Sequence, residues 1–256
     1  MVVAGAKTQG AVQSVERAFF LLEQVAEAGD LSLTELSALV ELPAPTTHRL
    51  LKTLVSLGYV RQLVNRRYGL GLGLIRLSDW ANTQFIPLAR PHLEALARTT
   101  GESANLAVLE GNMIVYIAQA PSPHAMRMFT EPGHRAFTHS TGVGKAILAE
   151  LPSEQVRKII DKVGMPVATA NTITNLAALT KELRVVKDQG YSIDDAEQEV
   201  GVRCYAVPVR GLPIPMALSV SGPMFRMSTE LGDSVVPLLK AEAEALATEL
   251  LGDVLP

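Results

Sequence analysis

The stretch from Leu42 to Ser78 combines a high density of positive charge with a complete lack of acidic residues. It holds six basic residues and no Asp or Glu, whereas the whole 256-residue sequence has a net charge of −3. The six are Arg49, Lys52, Arg61, Arg66, Arg67 and Arg76. A local reversal of sign like this is typical of a surface that contacts phosphate groups. The sequence therefore favours a nucleic-acid-binding fold in this part of the chain.

Three helices are predicted, two before this stretch and one within it. Apolar residues recur at helical spacing over residues 12–27. Ser32 and Glu35 have the spacing of a capping box, which predicts a second helix over residues 33–40. Pro45 suits the first turn of a third helix, which runs to residue 57.

The third helix has a face suited to the major groove of DNA. A helical wheel turns one side toward the first two helices and leaves Arg49 near the middle of the opposite face. The residues on the inward side are Thr47, Leu50, Leu51, Leu54 and Gly58. Arg can pair with guanine, and Thr can contact a thymine methyl group or a phosphate. A solvated helix face would look similar on this helix alone. The predicted DNA contacts on the helix are Pro45, Thr46, Thr47, His48, Arg49 and Lys52.

A hairpin with a basic tip follows this helix. Strands over residues 59–63 and 68–70 flank a turn that carries Arg66 and Arg67. Such tips usually lie on phosphate groups or in the minor groove, so these two residues and Arg61 join the predicted DNA contacts. A charged loop that only maintains solubility is the alternative. Helices followed by a basic hairpin have the outline of a winged helix-turn-helix.

Length, charge and cysteine content limit the rest of the chain. A chain of 256 residues favours two domains. Residues 1–78 hold eight Lys and Arg against six Asp and Glu, and residues 79–256 hold fifteen against twenty, so only the first part suits nucleic acid. Cys204 is the only cysteine. With no signal-peptide pattern and no long apolar run, the sequence predicts a cytoplasmic protein that does not associate with membranes.

Several short motifs resemble those of one family. The motifs are VQSVERA at 12–18, LTEL at 33–36, TTHRLL at 46–51, GYV at 58–60 and YGLG at 68–71. They resemble the DNA-binding domain of the IclR family of bacterial transcription regulators. The resemblance implies an α+β fold with a tail (1–11), a winged helix-turn-helix (12–73), a linker helix (74–91) and a GAF-like effector-binding domain with an antiparallel sheet (92–256). It also implies a homodimer or homotetramer that binds double-stranded operator DNA and a small organic acid.

Residue patterns predict the elements after the wing. Pro87 is expected to end a helix over residues 77–85, and a second helix follows to Gly101. The larger domain is predicted to contain strands at 105–109, 113–117, 125–130, 203–209 and 215–221. Helices are predicted at 141–150, 153–162, 177–189 and 235–251.

Three segments of the larger domain could bind a ligand. Gly142 and Val143 begin a helix whose free N–H groups favour an anion, although a tight turn would need the same small residues. The acidic segment around residues 194–199 has the composition of a solvated loop. Ser219 and Ser221 fall on one face of a strand and would need partners if buried. The resemblance implies that the effector contacts are Gly142, Val143, Asp194, Val202, Cys204, Ser219 and Ser221. Small polar residues here favour a compact acid such as glyoxylate or pyruvate.

Two other functions are weighed against regulation. An enzyme acting on a carbonyl or 2-oxo acid would use Cys204 as nucleophile with Asp194 or His139 as acid-base partner, but no Cys/His pairing is evident in the sequence. A non-specific DNA-binding protein would leave the second domain unexplained. No metal site is predicted, because the histidines lack metal-ligand spacing. No catalytic residue or cofactor is predicted either.

Overall fold

A computed structural model describes residues 12–252, apart from the side chains of residues 79, 81 and 82. The predicted tail, residues 1–11, lies outside this range. The chain divides into two compact units, with the division between Thr83 and Gln84. None of the helices in the described range is long and apolar enough to cross a membrane.

The N-terminal unit is a helical domain with a small antiparallel sheet. Its helices and strands are α1 (Gln13–Ala28), β1 (Asp30–Leu31), α2 (Leu33–Leu39), α3 (Ala44–Ser56), β2 (Val60–Gln62) and β3 (Tyr68–Leu70). The sheet order is β1-β3-β2. The predicted capping box forms, because the Glu35 amide donates to the Ser32 hydroxyl and the Ser32 amide donates to the Glu35 carboxylate. Leu21, Leu51 and Leu54 pack in one apolar core, as the helical wheel predicts.

The helix after the wing differs from the prediction. Helix α4 runs from Gly73 to Thr100 without interruption and contains both Pro87 and Pro91. The expectation that Pro87 ends a helix is therefore wrong. Each proline ring removes a backbone hydrogen bond to the residue four positions before it. Those residues, Thr83 and Pro87, are exposed, so water can satisfy their carbonyl groups.

The C-terminal unit is built on an antiparallel sheet, and this confirms the predicted α+β architecture. Its strands are β4 (Ser103–Glu110), β5 (Met113–Ala120), β6 (Arg135–Ala136), β7 (Ser192–Asp195), β8 (Val202–Val209) and β9 (Met216–Pro223). In the described range they pair in the order β6-β5-β4-β9-β8-β7. The helices after α4 are α5 (Gly142–Glu150), α6 (Ser153–Val163), α7 (Leu176–Gln189) and α8 (Thr229–Gly252).

The two faces of this sheet have different roles. One face carries Leu218 and Val220 and packs on α8 and the second half of α4. The other face packs partly on α5, through Val143 and Ile147, and presents Ser219 and Ser221 beside that contact. The predicted alternation along β9 is therefore confirmed. The buried Ser and Asn side chains of β4 and β9 lie on the α5 side.

Strand β5 carries a bulge that changes this alternation. Leu106 pairs with Ala118, but the next residue of β4, Ala107, pairs with Tyr116, so Ile117 is the extra residue. A bulge inserts one residue and shifts the facing of those that follow. Tyr116 and Gln119, which are three positions apart, consequently both turn toward the α5 side.

Residues 125–130 do not form the predicted strand. Strand β6 already pairs with β5, through Ile114 and Val115. Side chains supply the partners of the segment's carbonyl groups instead. Ser103 donates to the Met128 carbonyl and Arg226 to the Met126 carbonyl.

Candidate functional site

The exposed side of α3 is the first candidate surface. Pro45, Thr46, His48, Arg49 and Lys52 are all exposed. The first turn of the helix has no acidic residue. The N-terminal end of a helix attracts phosphate through its free N–H groups and its dipole. This side of α3 therefore offers positive charge and hydrogen-bond donors together.

Thr47 does not belong to this surface. Its side chain is fully buried, and its hydroxyl lies 3.4 Å from the carbonyl oxygen of Pro43. The assignment of Thr47 to the DNA contacts is contradicted by this burial. The residue lies on the side of α3 that faces the core, with Leu51 and Leu54.

The three arginines of the hairpin are held in two different ways. Arg61 and Arg66 are exposed, and Arg66 adopts a left-handed backbone conformation with φ of 62° at the tip. Arg67 instead folds back onto Asp30 and Glu35, with its Nη2 atom 3.0 Å from Glu35 Oε2. The hydrogen bond to Asp30 raises the pKa of Arg67 further. The charge of Arg67 is thus already compensated within the protein, so the structure does not favour its predicted contact with phosphate.

A small cavity with several polar side chains in its lining lies on the α5 side of the second sheet. Its volume is about 40 Å³. Residues from β4, β5, β7, β8 and β9 line it together with neighbouring loops. They are Asn105, Tyr116, Met128, Thr130, Thr141, Asp194, Gln198, Glu199, Val202, Cys204, Ser219 and Ser221.

The cavity gathers most of the predicted effector contacts. Asp194, Val202, Cys204, Ser219 and Ser221 all line it. The other two predicted contacts stand behind them.

Gly142 and Val143 pack behind the cavity. The Val143 side chain is fully buried in the contact between α5 and the sheet. A Cβ atom on Gly142 would lie 3.0 Å from Cys204 Sγ, so the helix approaches the cavity floor closely. Thr141, the N-cap of α5, lines the cavity in their place.

An amide network supports the two serine hydroxyls. Asn105 Nδ2 donates to Ser221 Oγ at 3.1 Å and to Ser219 Oγ at 3.4 Å. Gln119 Nε2 donates to Asn105 Oδ1 at 2.8 Å. Asn105 is 1% exposed, so its amide depends on these partners.

Asp194 is a buried carboxyl group near the end of β7, at the start of a segment that the sequence suggested to be solvated. The backbone amides of Glu197 and Gln198 donate to its Oδ1 atom at 2.8 Å and 3.3 Å. Burial nevertheless raises the pKa of Asp194 to about 7, against the lowering effect of these hydrogen bonds. A group that titrates near neutral pH can present either an acid or a carboxylate to a ligand.

A buried ion pair holds the turn that follows β7 against α5. Lys145 of α5 is fully buried and contacts the carboxylate of Glu197, and its Nζ atom lies 3.2 Å from Glu182 Oε1. Thr172 donates to the Glu197 carbonyl at 2.7 Å. The turn that follows β7 is therefore anchored at Glu197, to α5 through charge and to Thr172 through a hydrogen bond.

The chemistry of Cys204 does not suit a nucleophile. The thiol is buried, and burial raises its pKa to about 12, with the nearby Asp194 adding to the effect. The thiolate is the reactive form of cysteine, and at neutral pH it is scarcely populated here. The described hydrogen bond of the His139 ring runs from Nε2 to the Pro166 carbonyl oxygen at 3.1 Å, and not to Cys204.

Comparisons with known proteins match both units of the chain. A family model of the IclR helix-turn-helix domain matches residues 14–63. A second family model, of the C-terminal domain of the bacterial transcriptional regulator IclR, matches residues 80–248. The chain belongs to the IclR family. It is therefore a DNA-binding transcriptional regulator, and nothing in the comparisons supports the enzyme hypothesis.

Curated IclR-family proteins resemble this chain over almost their whole length. The regulator KdgR of Escherichia coli K12 is 35% identical over 249 residues, which are 95% of each chain. The repressor IclR of the same organism is 36% identical over 251 residues, covering 93% of this chain and 91% of that one.

Solved structures show the same fold. The IclR structure from Thermotoga maritima matches with a TM-score of 0.63 and 27% identity, covering 93% of this chain and 98% of that one. An IclR homologue from Microbacterium hydrocarbonoxydans, solved in complex with 4-hydroxybenzoate, matches with a TM-score of 0.62 and 22% identity, covering 93% and 99%.

Sequence reasoning missed several cavity residues of this IclR-family protein. They are Asn105, Tyr116, Thr130, Thr141, Gln198 and Glu199. Asn105 had a recognisable signal, because it is a lone amide within the apolar run of β4. The facing of Tyr116 had none, because the bulge in β5 leaves no mark in the residue pattern. Met128 also lines the cavity, whereas Met126 and Phe129 of the same segment are exposed.

Proposed function

We propose that this protein binds operator DNA through α3 and the wing, and that a compact organic acid in the cavity of the C-terminal unit alters operator affinity. One observation carries the effector half of the proposal. Two buried hydroxyls, those of Ser219 and Ser221, face the same small cavity as Asp194. Hydroxyl donors and a carboxyl group that can carry a proton together suit a carboxylate ligand.

The size of the cavity supports a small acid. One water molecule needs about 10–15 Å³ of such volume, so about 40 Å³ holds about three water-sized positions. Glyoxylate and pyruvate fit this space better than an aromatic acid such as the 4-hydroxybenzoate bound by the Microbacterium homologue.

A homo-oligomer would present two copies of α3 to a palindromic operator. In helix-turn-helix dimers the two recognition helices lie about 34 Å apart, one turn of DNA. We propose a homodimer or homotetramer in the cytoplasm, where operator DNA is found. Relatives named as repressors support repression as the direction of control. The effector would act by shifting the population of subunit arrangements.

Operator binding with and without acids tests this function. The protein is titrated at fixed salt against the DNA upstream of its own gene and its neighbours, with a panel of acids of two to eight carbons. We expect saturable, sequence-selective binding that one small acid alters. Ser221→Ala should abolish the response to that acid, with selective binding of DNA retained. Binding that is uniform over all DNA sequences and insensitive to every acid would contradict the proposal.

A further inference from the structure

The side chains behind the two cavity serines form a chain of hydrogen bonds with a defined direction. Gln119 Nε2 donates to Asn105 Oδ1, and Asn105 Nδ2 then donates to Ser221 Oγ and Ser219 Oγ. All the bonds in this chain point toward the cavity. Among these four residues, Gln119 does not line the cavity.

The direction of this chain decides what the serines can offer a ligand. A hydroxyl has one donor and can accept two hydrogen bonds. When the Asn105 amide donates to a serine oxygen, the hydroxyl proton of that serine is left for another partner. Both hydroxyls can then donate to an acceptor in the cavity. If the Asn105 amide turned over, its oxygen would take both hydroxyl protons and the serines would present only lone pairs.

The position of Gln119 depends on the bulge in β5. Asn105 and Gln119 are direct cross-strand partners, which places their side chains side by side. Gln119 is partly exposed, whereas Asn105 is 1% exposed. Gln119 thus contacts Asn105 from outside the cavity, and it can be substituted without replacing any residue that lines the cavity.

We infer that Gln119, acting through Asn105, is a positioning residue that makes Ser219 and Ser221 hydrogen-bond donors and so selects ligands with an acceptor, such as a carboxylate. This inference rests on the proposed function, because it states whether the hydroxyls of the same effector cavity donate or accept hydrogen bonds. Gln119 itself does not touch the ligand.

Two substitutions of Gln119 separate the direction of the hydrogen bonds from the packing of the side chain. In Gln119→Glu, the carboxylate can only accept, so it draws Asn105 Nδ2 toward itself and turns Asn105 Oδ1 toward the serines. Gln119→Met has a similar length but no hydrogen-bonding group, so it releases the Asn105 amide without reversing it. The Met variant is the matched control for the loss of the side-chain contact.

Pyruvate and pyruvamide are the probes, because they share a 2-oxo skeleton. The carboxylate of pyruvate offers two acceptor oxygens and no donor, whereas the amide of pyruvamide offers one acceptor oxygen and two N–H donors. Calorimetric titration of the full chain should show that Gln119→Glu loses at least about tenfold in pyruvate affinity, the scale of a hydrogen bond to a charged group. Its affinity for pyruvamide should rise above that of the unaltered protein. The ratio of pyruvate to pyruvamide affinity should fall in the order Gln, Met, Glu at position 119.

The outcomes distinguish this inference from simpler explanations. A negative charge at position 119 acting only through space would weaken pyruvate and leave pyruvamide unchanged, and that result would overturn the inference. A purely structural role would weaken both ligands equally in both variants, which would also overturn it. If Gln119→Glu does not fold, as judged by circular dichroism, an unaltered ratio in Gln119→Met decides against the inference and a lowered ratio supports it. If the unaltered protein binds neither pyruvate nor any other acid, the proposed function fails and this inference fails with it.

Discussion

The two units of this protein hold their functional polar groups in opposite ways. In the N-terminal unit, Arg49, Lys52 and Arg66 extend from the surface. In the C-terminal unit, Asn105 and Asp194 are buried and hydrogen-bonded to neighbours. Exposed groups can each meet a large charged partner separately, whereas buried groups act only as a connected set. Substitutions should therefore have small, separable effects in the first unit and large, coupled effects in the second.

Removing the buried ammonium group of Lys145 should have the largest effect. In Lys145→Met the Glu197 carboxylate stays buried without its cation, so we expect the free energy of unfolding to fall by about 3–5 kcal/mol. Urea unfolding followed by circular dichroism measures this change. Lys158→Met is the matched control, because Lys158 pairs with Glu154 on the surface and should matter by less than about 1 kcal/mol. Equal effects in the two variants would show that burial of the charge does not determine the size of the loss.

The stability of the C-terminal unit should depend on the protonation of Asp194. Burial raises the pKa of Asp194 from 3.8 to about 7, so between these values the folded chain keeps a proton that the unfolded chain releases. The contribution of Asp194 is therefore fully present at low pH and lost as the pH rises through 7, at up to about 1.4 kcal/mol per pH unit.

Asp194→Asn removes this titration and keeps an acceptor oxygen. The stability of the variant relative to the unaltered protein should increase with pH between about 4 and 7 and level off above that range. Urea unfolding of both proteins across this range tests the expectation. Parallel stability curves would mean that Asp194 titrates normally and is hydrated.

Arg49→Ala should weaken operator binding by an intermediate amount. If Arg49 contacts a base edge, its loss costs about 1–3 kcal/mol on the operator and less on random DNA, because base preference is relaxed. Fluorescence anisotropy on both DNAs at one salt concentration measures the difference. Arg157→Ala, at an exposed position on α6, is the control. Equal losses on operator and random DNA would show that Arg49 contacts phosphate only.

The smallest effects should separate Arg66 from Arg67. Arg66→Ala should lower the slope of log affinity against log salt by about 1, because one phosphate contact is lost. Arg67→Ala should leave this slope unchanged and lower the stability only slightly, because its partners are Asp30 and Glu35 at the surface. A reduced slope for Arg67→Ala would show that it leaves its ion pairs to meet DNA.

Local rules predicted much of the fold, and long-range contacts account for what they missed. The capping box of Ser32 and Glu35 and the facing of Ser219 and Ser221 depend on spacings of a few residues, so the sequence contains them. The partner of Arg67 lies 37 positions away, at Asp30, and no local pattern indicates it. Similarly, the segment from Asp194 to Glu199 has the composition of a solvated loop and is partly buried only because Lys145, on another element, compensates its charge.

The candidate site shows the same division. Five predicted effector contacts line the cavity, including Asp194 and Cys204. They could be predicted because the resemblance to a family indicated their positions. The place of Gln119 beside Asn105 could be known only from the strand pairing, because the bulge at Ile117 shifts the facing of β5. The effector contacts assigned to the cavity residues, and the DNA contacts assigned to α3 and the wing, remain predictions.

The burial of Cys204 has a practical consequence for following this protein in solution. The sequence has no other thiol, and this one has a pKa of about 12 inside a closed-in site. Maleimide dyes react with thiolates, so they should leave the unaltered chain unlabelled at neutral pH. A cysteine introduced at any exposed position would then carry the dye alone. Movements of either unit could be recorded by fluorescence with the native pocket intact.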